Sequence, residues 1–256
     1  NTGIGKSALG ANTSGIENTA VGSSAGQLNQ TSHYNTSVGT YALLNNTAAS
    51  NTGLGTRALQ NNTSGSNNVA VGKFAMIANT TAGDNTAVGG GALTANTTGG
   101  SNTVVGAYAI DANTTGGSNC AIGKHSLGGN TSGTQNTAVG LHSLYTNTTG
   151  YNNTAIGAYA MEDSTTAFKN TAVGNGALKD ITTGDENVAI GDNCMNSCTT
   201  GSDNTAVGEV ALGDCSTGSY NTAVGFQAGK KMFGSSYNTA FGYTAMLGNN
   251  GGIGGS

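Results

Sequence analysis

Histidine and cysteine are the residues of this chain whose side chains could bind a metal ion or act as nucleophiles. His125 and His142 are 17 residues apart, and Cys198 and Cys215 have the same separation. If the chain repeats with that period, each pair lies in adjacent turns. The histidines could then form a surface metal pair, but no carboxylate shares their position, and a chance pair in a variable column is favoured. We therefore expect no metal site and no cofactor.

The cysteines lack the spacing of a zinc site, which favours Cys-x2-4-Cys knuckles with a fourth ligand. Cys194 replaces a small alanine of the repeat, and Cys198 and Cys215 replace an asparagine, so we interpret them as small apolar fillers. A disulfide between Cys198 and Cys215 is an open alternative in a secreted protein. Cys120 is expected to be buried and unpaired. Since no acid, base and nucleophile converge, the sequence predicts that the protein is not an enzyme.

Aromatic side chains form the candidate contact site, because exposed rings can stack on sugars or on a partner protein. They recur at two variable positions of the repeat. An equally weighted alternative is that the rings only cover the apolar sides of neighbouring turns. The residues are Tyr41, Phe74, Tyr108 and Tyr159 at one position and Tyr34, Tyr220 and Tyr237 at the other.

All these residues lie between copies of a pentapeptide, Asn-Thr-Ala-Val-Gly and close variants, which occurs fifteen times. Successive copies are 17 residues apart except for one step of 16. A fixed period of this kind is the signature of a solenoid, in which short units share one continuous core. We predict one repeat domain over 1–256, a fragment of a longer chain, with coils starting at residues 1, 18, 35, 51, 68, 85, 102, 119, 136, 153, 170, 187, 204, 221 and 238.

The composition excludes several classes of protein. The chain has 44 glycines, no proline, 8% charged residues and a net charge of −4. Disorder is rejected because the apolar residues keep phase with the period. The few scattered lysines and arginines do not form the basic footprint of a nucleic-acid binder. No apolar run approaches the ~18 residues of a membrane helix, and no signal peptide is visible.

The columns of the repeat predict its faces when each unit is numbered from its asparagine. Position 1 is always Asn and position 5 is always Gly. Position 4 is always Ile, Val, Leu or Phe, which predicts that it faces the core together with position 2. Position 9 supplies a second apolar ridge, so each coil should contain two short strands and two turns. The asparagines of position 1 are expected to form a hydrogen-bonded ladder that includes Asn18, Asn85, Asn136 and Asn204.

Position 3 should then point away from the core, although it is Ala, Gly, Ser or Val in every unit. A strand that is apolar on both faces is normally covered on both faces. We therefore predict a homo-oligomer in which position 3 lies at the subunit interface, the alternative being that small residues merely fit a tight strand. The interface residues would include Ala20, Ala87, Ala138 and Ala206.

The pattern N-T-A-V-G-x-x-A-L-x-x-N-T-T-G resembles the head repeats of YadA-like trimeric autotransporter adhesins. It is also similar to repeats of bacterial and phage tail-fibre-domain proteins. The resemblance covers essentially the whole chain, although the adhesin repeat is shorter, and the extra residues here are assigned to the N-T-T-G loop. It implies a left-handed parallel β-roll with three chains side by side, and therefore a homotrimer.

The expected function is a structural and adhesive segment of an extracellular fibre, on a cell or virion surface, that presents variable residues to a host glycan or protein. A purely structural filament without a receptor is the alternative. An ice-binding solenoid is a minor alternative, because its threonine row at position 2 is expected to be buried. Seven Asn-Thr-Ser/Thr sequons at position 12 are interpreted as a repeated turn motif rather than as glycan acceptors; they begin at Asn12, Asn62, Asn79, Asn96, Asn113, Asn130 and Asn147.

Overall fold

A computed structural model describes residues 1–247, which form parallel β-solenoid coils without any helix in that range. The chain divides into two compact units, Asn1–Thr134 and Gln135–Ser256. The first unit contains the strands β1 (Thr2–Ile4), β2 (Thr19–Val21), β3 (Thr36–Val38), β4 (Thr52–Leu54), β5 (Val69–Val71), β6 (Thr86–Val88), β7 (Thr103–Val105) and β8 (Cys120–Ile122). The second contains β9 (Thr137–Val139), β10 (Thr154–Ile156), β11 (Thr171–Val173), β12 (Val188–Ile190), β13 (Thr205–Val207), β14 (Thr222–Val224) and β15 (Thr239–Phe241).

Within each unit the strands pair in parallel, and equivalent positions of successive coils lie opposite one another. In β6 and β7, for example, Thr86 pairs with Thr103 and Ala87 with Val104. This register confirms that one period of the sequence is one coil of the solenoid. Because a one-residue slip would exchange the two faces of a strand, the repeated pattern holds the register in place.

Each coil contains one strand, so the predicted second strand at position 9 is wrong. The residues after the invariant glycine form hydrogen-bonded turns in which positions 7 and 9 have positive φ. Leu59 has a φ of 52° and Ile110 a φ of 49°. These turns also bond from coil to coil, since the N–H of Leu59 donates to the carbonyl of Ala75 at 3.1 Å. Neighbouring coils are thus joined along the turn side as well as along the sheet.

Position 3 faces the interior of the coil, so its predicted place at a subunit interface is wrong. The four alanines named for that interface have no exposed surface within their own chain; they are Ala20, Ala87, Ala138 and Ala206. The glycine of β4 shows why position 3 holds only small residues. A Cβ on Gly53 would lie 3.1 Å from Cγ of Leu43 and 3.2 Å from the carbonyl oxygen of Ala58. The strand packs so closely against positions 8 and 9 that only small side chains fit between them.

Positions 2 and 4 face outward, which corrects the prediction that they line the core. The side chain of Ile4 is 60% exposed, that of Leu54 44% and that of Ile190 41%. Alternation correctly groups positions 2 and 4 on one face. It does not tell which face is inside, because the narrow interior selects for small size rather than for apolar character. The core instead consists of position 3 alanines, position 8 alanines and the Leu or Met of position 9.

Asparagines of position 1 form a buried ladder. In the first unit, Oδ1 of Asn102 accepts from the backbone N–H of Asn119 at 3.0 Å, while its Nδ2 donates to the carbonyl of Gly116 at 3.0 Å. The same backbone-to-amide bond is made to the asparagines named from the sequence. It joins Asn35 to Asn18, Asn102 to Asn85, Asn153 to Asn136 and Asn221 to Asn204. Each amide therefore ties its own coil to the next one.

A second asparagine column, at position 12, is built differently in the two units. In the first unit Asn62, Asn79, Asn96 and Asn113 are buried, and each Nδ2 donates to the Oδ1 of the asparagine one coil earlier. In the second unit the column after Asn147 continues as Ser164, Ile181, Cys198, Cys215 and Met232. Since Asn62 through Asn147 of the sequon series are fully buried, their amides are inaccessible to glycosylation in the folded chain; Asn12 is half-buried.

Candidate functional site

The aromatic residues of position 7 stack with planar partners along one edge of the coils. In the first unit Cζ of Arg57 lies 5.9 Å from the ring centroids of both Tyr41 and Phe74, which is cation–π distance. Tyr108 stacks on His125 with 5.5 Å between ring centroids. The structure thus brings these predicted contact residues into one column, with the guanidinium group of Arg57 between the rings of Tyr41 and Phe74. The arrangement leaves the ring of Tyr108 51% exposed.

The second unit carries a mixed aromatic and charged cluster at the same position. His142 stacks on Tyr145 at 4.6 Å and meets Tyr159 edge-on at 5.8 Å. Its Nδ1 lies 3.3 Å from Oε1 of Glu162, and Oε2 of Glu162 lies 3.7 Å from Nζ of Lys179. Sequence reasoning missed this cluster, because Glu162 and Lys179 are at position 10 and reach the aromatic column from the side.

A gap interrupts this column above Tyr159. The next two residues of position 7 are Gly176, which has no side chain, and Asn193. A depression of about 260 Å³ remains there, lined by Tyr159, Glu162, Asn175, Gly176, Lys179 and Asn193. At the other glycine of the column, Gly91, the atom nearest to an added Cβ is Cδ1 of Tyr108 at 2.7 Å, so an aromatic ring covers that position, whereas at Gly176 the nearest atom is Oδ1 of Asn193, also at 2.7 Å.

Aromatic residues of position 17 are more exposed. Tyr220 and Tyr237 stack at 5.0 Å with nearly parallel rings, and Tyr237 is 79% exposed. Tyr34, in the first unit, meets the ring of His33 edge-on with 6.0 Å between ring centroids. Sequence reasoning missed two further stacked pairs, Tyr151–Phe168 and Phe226–Tyr243. Their signal was available, since each pair occupies one position in consecutive coils.

The histidines and cysteines do not converge. His125 and His142 each stack on a tyrosine, and residues 1–247 contain no group of three or more His, Cys, Asp or Glu that could hold a metal ion. Cys198 and Cys215 are free thiols, so the alternative of a disulfide between them is not realised. Their Sγ atoms face the carbonyls of Gly201 and Gly218.

The environments of the thiols differ. Burial raises the pKa of Cys194 to about 12. A hydrogen bond with Cys215, together with burial, raises the pKa of Cys198. Cys120 is half-exposed on the outer face of β8, so the expectation that it is buried is wrong. It is therefore the most accessible of the four thiols.

The outer face of the strands is a regular, uncharged surface. Position 2 carries twelve threonines, six in each unit, and all are exposed or half-exposed. Within the described residues none of their hydroxyl groups has a hydrogen-bond partner in the chain. Position 4 adds a parallel row of branched apolar side chains and one Phe. The row of threonines that the sequence analysis placed inside is thus accessible to solvent.

Comparisons with protein-family models, with curated proteins and with solved structures find no match to this chain. No helix among residues 1–247 is long and apolar enough to span a membrane.

Proposed function

We propose that the chain is a structural and adhesive segment of an extracellular fibre. One observation carries the proposal: a uniform scaffold of identical coils presents columns of stacked, exposed side chains that differ from coil to coil. The scaffold is tied together by backbone bonds and by the buried ladder of position 1, so it holds the variable columns rigidly. Sequence variation concentrated in exposed columns is suited to contact with a surface partner.

The proposal includes self-association through the outer face of the strands. Ile4, Leu54, Val105 and Ile122 are exposed apolar side chains in one row, and such patches commonly mark protein contacts. The resemblance to trimeric adhesin heads favours three chains. Light scattering of the wild type should then give three times the 25.0 kDa chain mass, and Val71→Lys with Val105→Lys should give monomers.

Attachment assays distinguish an adhesive fibre from a purely structural filament. A triple variant, Tyr41→Ser, Phe74→Ser and Tyr108→Ser, should reduce binding of the purified protein to host cells or surface polysaccharide. Folding should persist, because the three rings lie at the exposed edge. Unchanged attachment by a folded triple variant would favour the filament without a receptor.

Ice binding is a second candidate, because the threonines of position 2 are exposed and their hydroxyl groups lack partners within the described chain. In-register strands repeat these hydroxyls every ~4.8 Å, a spacing close to a water repeat of hexagonal ice. The neighbouring row of methyl groups can order water without competing for it.

Thermal hysteresis of a monomeric sample tests this candidate. Wild type should retard ice growth, and Thr86→Tyr with Thr103→Tyr should abolish the effect by breaking the flat row. A monomer without hysteresis would exclude it.

A further inference from the structure

We propose that the gap above Tyr159 is a binding slot for one neutral pyranose sugar. The inference rests on the proposed adhesive function and names the chemical class that this edge of the chain would recognise. Its starting point is the interruption of the position 7 column at Gly176, where a vacant position follows an exposed ring.

The size of the gap fits a single ring. Successive coils are about 4.8 Å apart, so the backbones of the two coils that flank Gly176 are separated by two spacings, or about 9.5 Å. Oδ1 of Asn193 reaches to 2.7 Å from the Cβ position of Gly176, so its amide would contact a ring bound there. In the first unit Tyr108 stacks on His125 with 5.5 Å between ring centroids. In the second unit His142 stacks on Tyr145 at 4.6 Å and meets Tyr159 edge-on at 5.8 Å. A pyranose above Tyr159 would take the place of the missing member of the stack.

The lining of the slot has the chemistry of a sugar site. Tyr159 offers an aromatic surface, and Asn175 and Asn193 offer amides that both donate and accept. Glu162 and Lys179 add an acceptor and a donor at the rim. A small number of polar groups around an apolar surface gives orientation and specificity to a bound ligand.

Charge favours a neutral sugar over an acidic one. Glu162 and Lys179 are paired at 3.7 Å, which leaves the slot itself without a free cation among its lining residues. Asp163 interacts electrostatically with both members of this pair and with Asp180, and Asp192 accepts a hydrogen bond from Asn193 at 2.8 Å. The surrounding carboxylates therefore repel a sugar that carries a carboxylate.

Gly176 also supplies a direct way to close the slot. Its φ of 60° matches that of Tyr41 and Tyr159, which hold the same position in other coils. Gly176→Tyr should therefore fold and restore the missing ring. A Cβ there lies 2.7 Å from Oδ1 of Asn193, which is the end of a flexible side chain that can turn away.

The test is a titration of the full chain, labelled with 13C in its tyrosine rings, with methyl galactopyranoside, methyl glucopyranoside, N-acetylglucosamine and glucuronate. At least one neutral sugar should shift the ring signals of Tyr159 in a saturable way, and glucuronate should bind more weakly. Gly176→Tyr and Tyr159→Ser should each weaken binding about tenfold or more. Tyr151→Ser, which removes an exposed ring stacked on Phe168 outside the lining of the slot, is the matched control and should leave binding unchanged.

The inference is overturned if no neutral sugar shifts Tyr159, or if a folded Gly176→Tyr variant binds as tightly as the wild type. Attachment assays on the same proteins separate this result from the proposed function. Attachment by a wild type that binds no neutral sugar would remove the slot and keep the adhesive role. Saturable sugar binding without any attachment by the wild type would keep the slot and remove the adhesive role.

Discussion

The inner and outer faces of the strands are both free of charge, but they carry side chains of different size. The inner column is Ala, Gly or Ser, with Val104 as the largest member, whereas the outer columns are Thr, Val, Ile, Leu, one Cys and one Phe. In the strands, the smaller apolar side chains are the buried ones. Ala87, at the inner position of β6, is fully buried, whereas Ile156, at an outer position of β10, is 40% exposed. In a coil this narrow, the interior is filled by the large side chains of position 9, so the strand presents its small residues to the inside and its bulkier apolar residues to the surface.

Enlarging the inner column should have the largest effect on stability. Ala87→Leu introduces three carbon atoms where Ala87 has no exposed surface. We expect a loss of about 3 kcal/mol, since overpacking of a closed interior costs ~1–3 kcal/mol or more. Val88→Leu, one residue later on the outer face, should change stability by less than about 0.5 kcal/mol. Urea unfolding of the two variants makes the comparison, and equal losses would contradict the assignment of the faces.

Removing a rung of the position 1 ladder should have the next largest effect. Asn102→Ala would leave the buried N–H of Asn119 without its partner and would remove one of the two hydrogen bonds to the carbonyl of Gly116, which keeps the bond from Asn113. The expected loss is about 2 kcal/mol, because an unsatisfied buried N–H costs ~1–3 kcal/mol. Thr103→Ala is the outward neighbour and should be nearly neutral. Thermal unfolding checks both, and a neutral Asn102→Ala would show that the ladder is dispensable.

The position 12 column sharpens the comparison between the units. Asn96→Ala interrupts a run of amide-to-amide bonds in the first unit, including the 2.8 Å bond from Asn113, and should cost about 2 kcal/mol. Ser164→Ala in the second unit should cost less than about 0.5 kcal/mol, or stabilise slightly, because the buried Oγ of Ser164 has no hydrogen-bond partner. Chemical unfolding of the two variants gives the difference. Similar costs would mean that the column is held by packing alone in both units.

Protonation of Asp111 at low pH should have the smallest effect on the free energy of unfolding, and it should stabilise the folded state. Burial raises the pKa of Asp111 above its ordinary value of 3.8, so the folded state holds a proton more tightly than the unfolded state. The stabilisation is fully present below 3.8 and is lost as the pH rises through the folded pKa. Unfolding measured at pH 7 and pH 4 should therefore show that Asp111→Asn, which removes the titration, gains less on acidification than the wild type. If Asp111→Asn gains as much stability on acidification as the wild type, the gain comes from other carboxylates.

The coil, its period and its register were predictable from the sequence, because they follow from a repeat with invariant Asn and Gly. The direction of the faces was not, because Ala87 and Val88 are both apolar and the interior width is a property of the closed coil. The prediction of a second strand failed for a related reason. Leu59 is an apolar residue of the kind found in strands, but the hydrogen bonds between turns give it a positive φ.

The candidate site was predictable only in part. Tyr41, Phe74, Tyr108 and Tyr159 could be grouped by their shared position, and the structure places them along the edges of their units. The slot could not be found in this way, since its defining residue is a glycine. Its polar lining comes from other positions of the repeat, such as Glu162 and Lys179, and only the folded coils bring them to the same place.

Thiol labelling of the wild-type chain tests the direction of the faces most directly. Cys120 is on the outer face, whereas Cys194, Cys198 and Cys215 are buried. At a concentration where light scattering gives a monomer, a maleimide should modify one thiol quickly in the native state and four after denaturation. Mass spectrometry should identify the fast site as Cys120. A protected Cys120 in the monomer, or equally fast labelling of Cys194, would contradict the account of a narrow coil with position 3 inside.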